Sequence, residues 1–255
     1  MHLKSCYILL FIMLYNANCY SQSKNKQEQA SIWIRYNQQL QLPKNCMLKS
    51  EFDERFFIAK ALKQHQFLFR VTVDKQLKKN WTIGAGISMW YMGTNNELAT
   101  SKLMIPEWRP HVEINHKNSI NKRFSISQRW RAEWRFIKKT NPAFTETING
   151  YNNNFRFRYQ ILLDFAAYQK EEKSLHLIIF DEILLNAGKS ILYNIFDQNR
   201  IGCSVRYNFN KTIGIELGYI NQFQQRSSGI DFYNRQVLRL TLHTNFTIQK
   251  NEINK

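Results

Sequence analysis

Between Arg123 and Phe136 the chain alternates residue by residue (RFSISQRWRAEWRF). Phe124, Ile126, Gln128, Trp130, Ala132, Trp134 and Phe136 fall on one parity, and Ser125, Ser127, Arg129, Arg131, Glu133 and Arg135 on the other. Successive side chains of a strand point to opposite faces, so a strand sorts these residues into an aromatic side and a charged side, whereas a helix would mix them. The pattern recurs at once: Phe155, Phe157, Tyr159, Ile161, Leu163 and Phe165 alternate with Arg156, Arg158, Gln160 and Asp164. This fixes the fold class as all-β.

Further strands follow on the same rule. Phe67–Val73, Trp81–Tyr91, Trp108–Ile114, Ile201–Phe209, Ile213–Tyr219 and Leu238–Phe246 alternate clearly, and Ser31–Leu40, Met47–Phe56 and Leu175–Asn186 do so more weakly. Tight polar connections at Lys78–Asn80, Tyr168–Lys173 and Asn210–Thr212 alternate with longer ones at Gly93–Leu103, Ile137–Asn152, Ala187–Ile195 and Gln224–Tyr233. Short turns on one rim and long loops on the other are the habit of outer-membrane barrels. The candidates number about 11, and single-chain bacterial barrels have even counts, so 12 strands are expected, with 10 as the alternative. Gly84-Ala85-Gly86 lies inside a strand and reads as close packing or a bend.

The N-terminus says where such a barrel would go. Lys4, the apolar run Cys6–Leu14 and the stretch Asn16–Ser21 read as a cleaved secretory leader, 1–21, with Gln22 the first mature residue. The apolar run is too short for a spanning helix, which needs roughly 20 residues. Lipid attachment at Cys19 is the alternative, against which Asn16 and Asn18 argue. The expected layout is a short extension over 22–30, a barrel over 31–246 and a tail over 247–255. Aromatics toward the ends of the apolar faces (Trp81 and Tyr91, Trp130 and Trp134, Tyr207 and Tyr219) suit membrane girdles. A soluble exported barrel that binds a small ligand would alternate too, with its charges facing water.

The formal charge of +17 becomes +16 once Lys4 is removed with the leader (17 − 1). Such a balance attracts anions. Export and the lack of a Lys/Arg cluster exclude nucleic acid. The partners expected are outer-membrane lipid and lipopolysaccharide, with a small anionic solute as a further one, around a monomer. Cys46 and Cys203 survive processing and read as two free thiols.

The chain resembles an uncharacterised family of bacterial outer-membrane β-barrels (domain of unknown function 2490) from about Trp33 to Phe246. The resemblance rests on Gln128–Arg135 (QRWRAEWR), Phe155–Tyr159 (FRFRY), Phe196–Gly202 (FDQNRIG) and Gly218–Gln222 (GYINQ). It implies an outer-membrane barrel and supplies no activity, substrate or catalytic residue.

Catalytic signatures are missing. His65, His111, His116, His176 and His243 sit in no motif with Ser or Asp, and there is no G-x-S-x-G, HExxH or CxxC. No enzyme activity, cofactor or metal is expected, and His176 and His243 read as wall residues. The candidate functional residues are the charges predicted to line the lumen: Arg129, Arg131, Glu133, Arg135, Arg156, Arg158, Arg200, Arg206, Glu216 and Arg239. Two readings follow. Arg–Glu pairs fill a narrow lumen, since buried charges need partners; or the arginine excess makes an anion-favouring pore. A third, an enzyme acting on lipid at the rim, would rest on the histidines.

Overall fold

A computed structural model describes residues 25–58, 62–188, 195–226 and 228–248. The expected leader, with Cys6 and Cys19, lies outside them. The described residues form a closed barrel of eleven strands: β1 (Lys26–Leu42), β2 (Cys46–Ile58), β3 (Leu62–Gln76), β4 (Trp81–Met92), β5 (Ile105–Ser119), β6 (Phe124–Thr140), β7 (Thr147–Lys170), β8 (Lys173–Ala187), β9 (Phe196–Asn208), β10 (Ile213–Gln225) and β11 (Phe232–Thr247). Each strand is hydrogen-bonded to its sequence neighbours in antiparallel fashion, and the ring closes by a parallel ladder between β1 and β11, from Lys26↔Phe232 to Gln41↔Thr247.

The expectation of 12 or 10 strands is therefore corrected. Every one of the eleven candidate segments carries a strand, and the error lay in adjusting their count to an even number. With eleven, the first and last strands run the same way, and the parallel pairing that results satisfies the backbone groups at the seam as an antiparallel one would. One rim carries the turns before β2, β4, β6, β8 and β10 and the end of β11 (the turn rim). The other carries the remaining connections and the start of β1 (the loop rim).

Two boundaries also shift. Residues 26–30, placed in an extension, belong to β1. The long linker expected at Ile137–Asn152 is mostly ladder, since Phe136↔Asn153 through Lys138↔Tyr151 are paired and only 141–146 lies between β6 and β7. That part of the hairpin is exposed from Thr147 to Asn153, where Ile148 and Tyr151 stand among polar residues, so the backbone ladder continues where regular side-chain alternation has stopped.

Burial inverts that of a soluble protein. Among the described residues, 28 polar or charged residues are buried against 12 hydrophobic ones, while large hydrophobics such as Leu217, Val112, Ile179, Phe157 and Trp134 are exposed. On β10, Ile213, Ile215, Leu217 and Tyr219 all face outward. This apolar belt ends toward the loop rim in a polar band. There Asn234 donates to Glu28 (2.9 Å), Asn221 to Asn234 (2.8 Å) and Asn199 to Asp181 (2.7 Å). Outward aromatics meet along the belt: Trp81 stacks on Trp130 at 5.9 Å, and Trp130 meets Tyr159 at 5.5 Å. Gly84 is a close-approach position, because a Cβ there would lie 2.0 Å from Asp74 Oδ1. Cys46 and Cys203 are both free.

Candidate functional site

The interior is built from one rule, that the strand period of two sends every second residue inward. Ladder register then decides which inward charges meet. Directly opposed pairs are Arg35↔Asp53, Glu51↔Arg70, Glu113↔Arg131, Glu133↔Arg156, Glu182↔Arg200 and Arg206↔Glu216. Their closest approaches run from 2.5 Å (Arg131–Glu113) and 2.6 Å (Arg35–Asp53 and Arg156–Glu133) through 3.0 Å (Arg70–Glu51) and 3.1 Å (Arg206–Glu216) to 3.5 Å (Arg200–Glu182). A one-residue slip would turn each pair to the outside, so the register is tied to the charge network.

Other contacts leave the wall and join strands that are not neighbours. Lys49 of β2 reaches Glu113 of β5 at 2.7 Å, Arg129 of β6 reaches Glu182 of β8 at 2.7 Å, and Arg156 of β7 reaches Asp197 of β9 at 3.1 Å. Glu133 bridges two arginines: Arg156 donates to it at 2.6 and 2.9 Å, and Arg158 at 2.8 Å. Glu107 holds Arg109 and Arg135 together.

A layer of aromatic rings and guanidiniums crosses the barrel toward the loop rim. Arg55 lies 3.7 Å from the centroid of the Trp33 ring and 5.0 Å from that of Trp90, and Arg109 lies 3.8 Å from Trp90 on its own account. Arg200 approaches Trp33 at 5.5 Å. Such contacts strengthen when desolvated, and Trp33 and Trp90 are 2 % and 3 % exposed. Trp33 also packs in a cluster with Phe180, Ile220 and Val237, with Leu162 against it. That cluster joins β1 to β7 and β8 on the far side of the ring, and a barrel of this size is narrow enough for side chains to fill. Above it, Asn95 of the 93–104 loop turns inward and accepts from Arg235 (3.1 Å), and its backbone carbonyl accepts from Gln29 (2.9 Å). Asn95 Oδ1 and His65 Nε2 are 3.1 Å apart.

Below the layer lies a cavity of ≈ 180 Å³. Its walls carry Arg35, Arg55, Arg70, Arg129, Arg158, Arg200, Arg206 and Arg239 against Glu51, Glu182 and Glu216. It shares Arg129, Gln160 and Leu162 with a wider space of ≈ 410 Å³ at the turn rim. At the same rim His176 Nδ1 lies 2.6 Å from Asp164, and its Nε2 lies 3.1 Å from Ser174 Oγ, which accepts from Asn208 (2.8 Å).

All ten charges proposed from sequence fall on inward positions. Arg131, Glu133, Arg156, Arg158, Arg200 and Glu216 are buried, and Arg129, Arg135, Arg206 and Arg239 are half-buried. Each is ion-paired. The ten candidates leave out Arg35, Lys49, Glu51, Asp53, Arg55, Arg70, Asp74, Glu107, Arg109, Glu113, Glu182, Asp197 and Arg235. Parity could have found Glu107 and Arg109, which oppose Trp108. On β2 and β8 it could not, because outward Glu54 and Asp181 blur the pattern. Among the described residues no group of His, Cys, Asp and Glu could hold a metal.

A family model described as "Protein of unknown function (DUF2490)" matches residues 30–234. No curated protein matches the chain. Among solved structures, the NanC porin in its rhombohedral crystal form aligns with 82 % of this chain and 96 % of its own, at 10 % identity and a TM-score of 0.46.

Proposed function

Since the chain belongs to the DUF2490 family of proteins of unknown function, its role has to be read from the barrel itself, and we propose that it is an outer-membrane β-barrel whose lumen is closed in this state. The observation that carries the reading is the inverted burial, apolar residues outside and paired charges inside. In lipid every backbone polar group needs an internal partner, and a closed barrel supplies it. A soluble ligand-binding barrel would expose the opposite face. The role is passive: a stable wall element, or a narrow path that must open before a solute crosses. An open anion-favouring pore is not supported, because the Trp33–Arg55–Trp90–Arg109 layer and the apolar cluster bridge the interior.

Leu217→Arg, in the middle of the belt, tests this. The lipid-facing reading expects a loss of about 2–4 kcal/mol in urea titrations of the protein folded into vesicles. A loss within about 0.5 kcal/mol, the usual size of a surface substitution in water, would contradict it. The Ser174–His176–Asp164 chain favours a second, hydrolytic reading, since it has the order of nucleophile, base and orienting acid. Labelling by a fluorophosphonate that disappears in Ser174→Ala would establish that reading, and absence of labelling would dismiss it.

A further inference from the structure

We propose that the central cavity is a binding site for a compact oxyanion carrying two or more negative charges, entering from the turn rim. The proposal rests on the closed-lumen reading above and adds a ligand to it. Charge favours an anion here. Eight arginines and three glutamates line the cavity, a balance of +5 (8 − 3). Asp53 and Glu133 lie behind the wall and pair with Arg35, Arg55 and Arg158. Counting both against the arginines still leaves +3 (8 − 5). Like charges held together away from bulk water are costly unless an opposite charge joins them. Five carboxylates are thus shared among eight arginines, and the cavity keeps an excess of positive charge.

Hydrogen bonding favours an acceptor. Nε of Arg55, Arg70, Arg129 and Arg239 is buried without a partner, and all four residues line this cavity. Arg55 and Arg70 are themselves 2 % and 6 % exposed. Guanidinium N–H groups only donate, so what completes them is an acceptor, and an oxyanion accepts several at once. Size and access set the class of ligand. A space of ≈ 180 Å³ holds several water-sized groups at about 30 Å³ each, which suits phosphate or a small dicarboxylate and excludes a long chain. The wider space at the turn rim shares three of its walls, whereas the Trp33 cluster and the Arg55 layer cover the other side.

Phosphate at pH 8 is the probe, titrated calorimetrically into the purified full-length barrel against chloride at equal ionic strength. Saturable one-to-one binding is expected with phosphate and not with chloride. Arg70→Gln and Arg239→Gln should each weaken it tenfold or more. In both variants the carboxylate left behind keeps a basic neighbour, Arg35 beside Glu51 and Arg206 beside Glu216, which favours folding. Lys211→Gln, on the exposed turn rim, should bind as the wild type does. Equal heats with phosphate and chloride, or unchanged affinity in a folded Arg70→Gln or Arg239→Gln variant, would overturn the site. If neither variant folds, the wild-type titration decides alone. A barrel that inserts into vesicles but shows no saturable binding loses the anion site and keeps the membrane reading; one that stays soluble without lipid loses the membrane reading whatever it binds.

Discussion

Glu133→Gln is expected to destabilise the folded barrel by about 3–5 kcal/mol, because it strips one carboxylate from two buried arginines. Glu133 is 1 % exposed and accepts from Arg156 on both Nε and Nη2 and from Arg158 on Nη1. After the change Arg158 retains Glu182 at 2.7 Å and Arg156 retains only Asp197 at 3.1 Å. The loss is thus mostly the cost of a stranded charge, not the net worth of the pair. Removing Arg156 in the same chain (Glu133→Gln with Arg156→Gln) should restore part of the stability, as neutralising both partners of a buried pair is milder than removing one. Urea titration of the vesicle-embedded protein, followed by the mobility shift of heated against unheated samples, measures both. A single variant within about 1 kcal/mol of wild type would mean that water reaches Glu133 and that the interior is wet and open.

The second large effect concerns closure. Wild-type protein in a planar bilayer should show no steady conductance, and Trp33→Ala combined with Trp90→Ala should show discrete channel steps. The two rings hold Arg55 between them at 3.7 and 5.0 Å, and Trp33 anchors the cluster that reaches β7 and β8. Their removal takes away the largest apolar bodies crossing the interior and frees Arg55 and Arg109 to swing toward the wall. The path so opened is lined by eight arginines and three glutamates and should prefer anions. Steady wild-type currents, or a folded double variant as silent as wild type, would contradict the closed-lumen account.

The sequence carried the wall better than the seam. β6 and β7 were legible because Arg129–Arg135 and Arg156–Arg158 alternate with uncharged, mostly aromatic residues without a break, and parity alone turned these charges inward. β1 and β8 were faint because apolar residues face inward there too: Trp33 on β1, and Ile178, Phe180 and Leu184 on β8. Those inward rings form the crossing layer, and a reading that assigned aromatics to the outer face had no means of seeing them. The odd strand number was misjudged for a different reason. Eleven strands close only if β1 meets β11 in parallel, some 200 residues apart in the chain, and no local pattern encodes whether that meeting is parallel. The acids were under-counted for the same kind of cause: Glu51 and Glu182 gain meaning only when the register places Arg70 and Arg200 opposite them.

The central claim is that one face of every strand meets lipid while the other is sealed within the barrel, and the tryptophans report on both. Trp108 and Trp130 point outward at 41 % and 38 % exposure, whereas Trp33 and Trp90 point inward. Single-tryptophan variants folded into vesicles with brominated acyl chains measure the contact directly. The account predicts strong quenching of Trp108 and Trp130 and little of Trp33 and Trp90. Equal, weak quenching of all four, with the protein remaining folded and dispersed in lipid-free buffer, would contradict it.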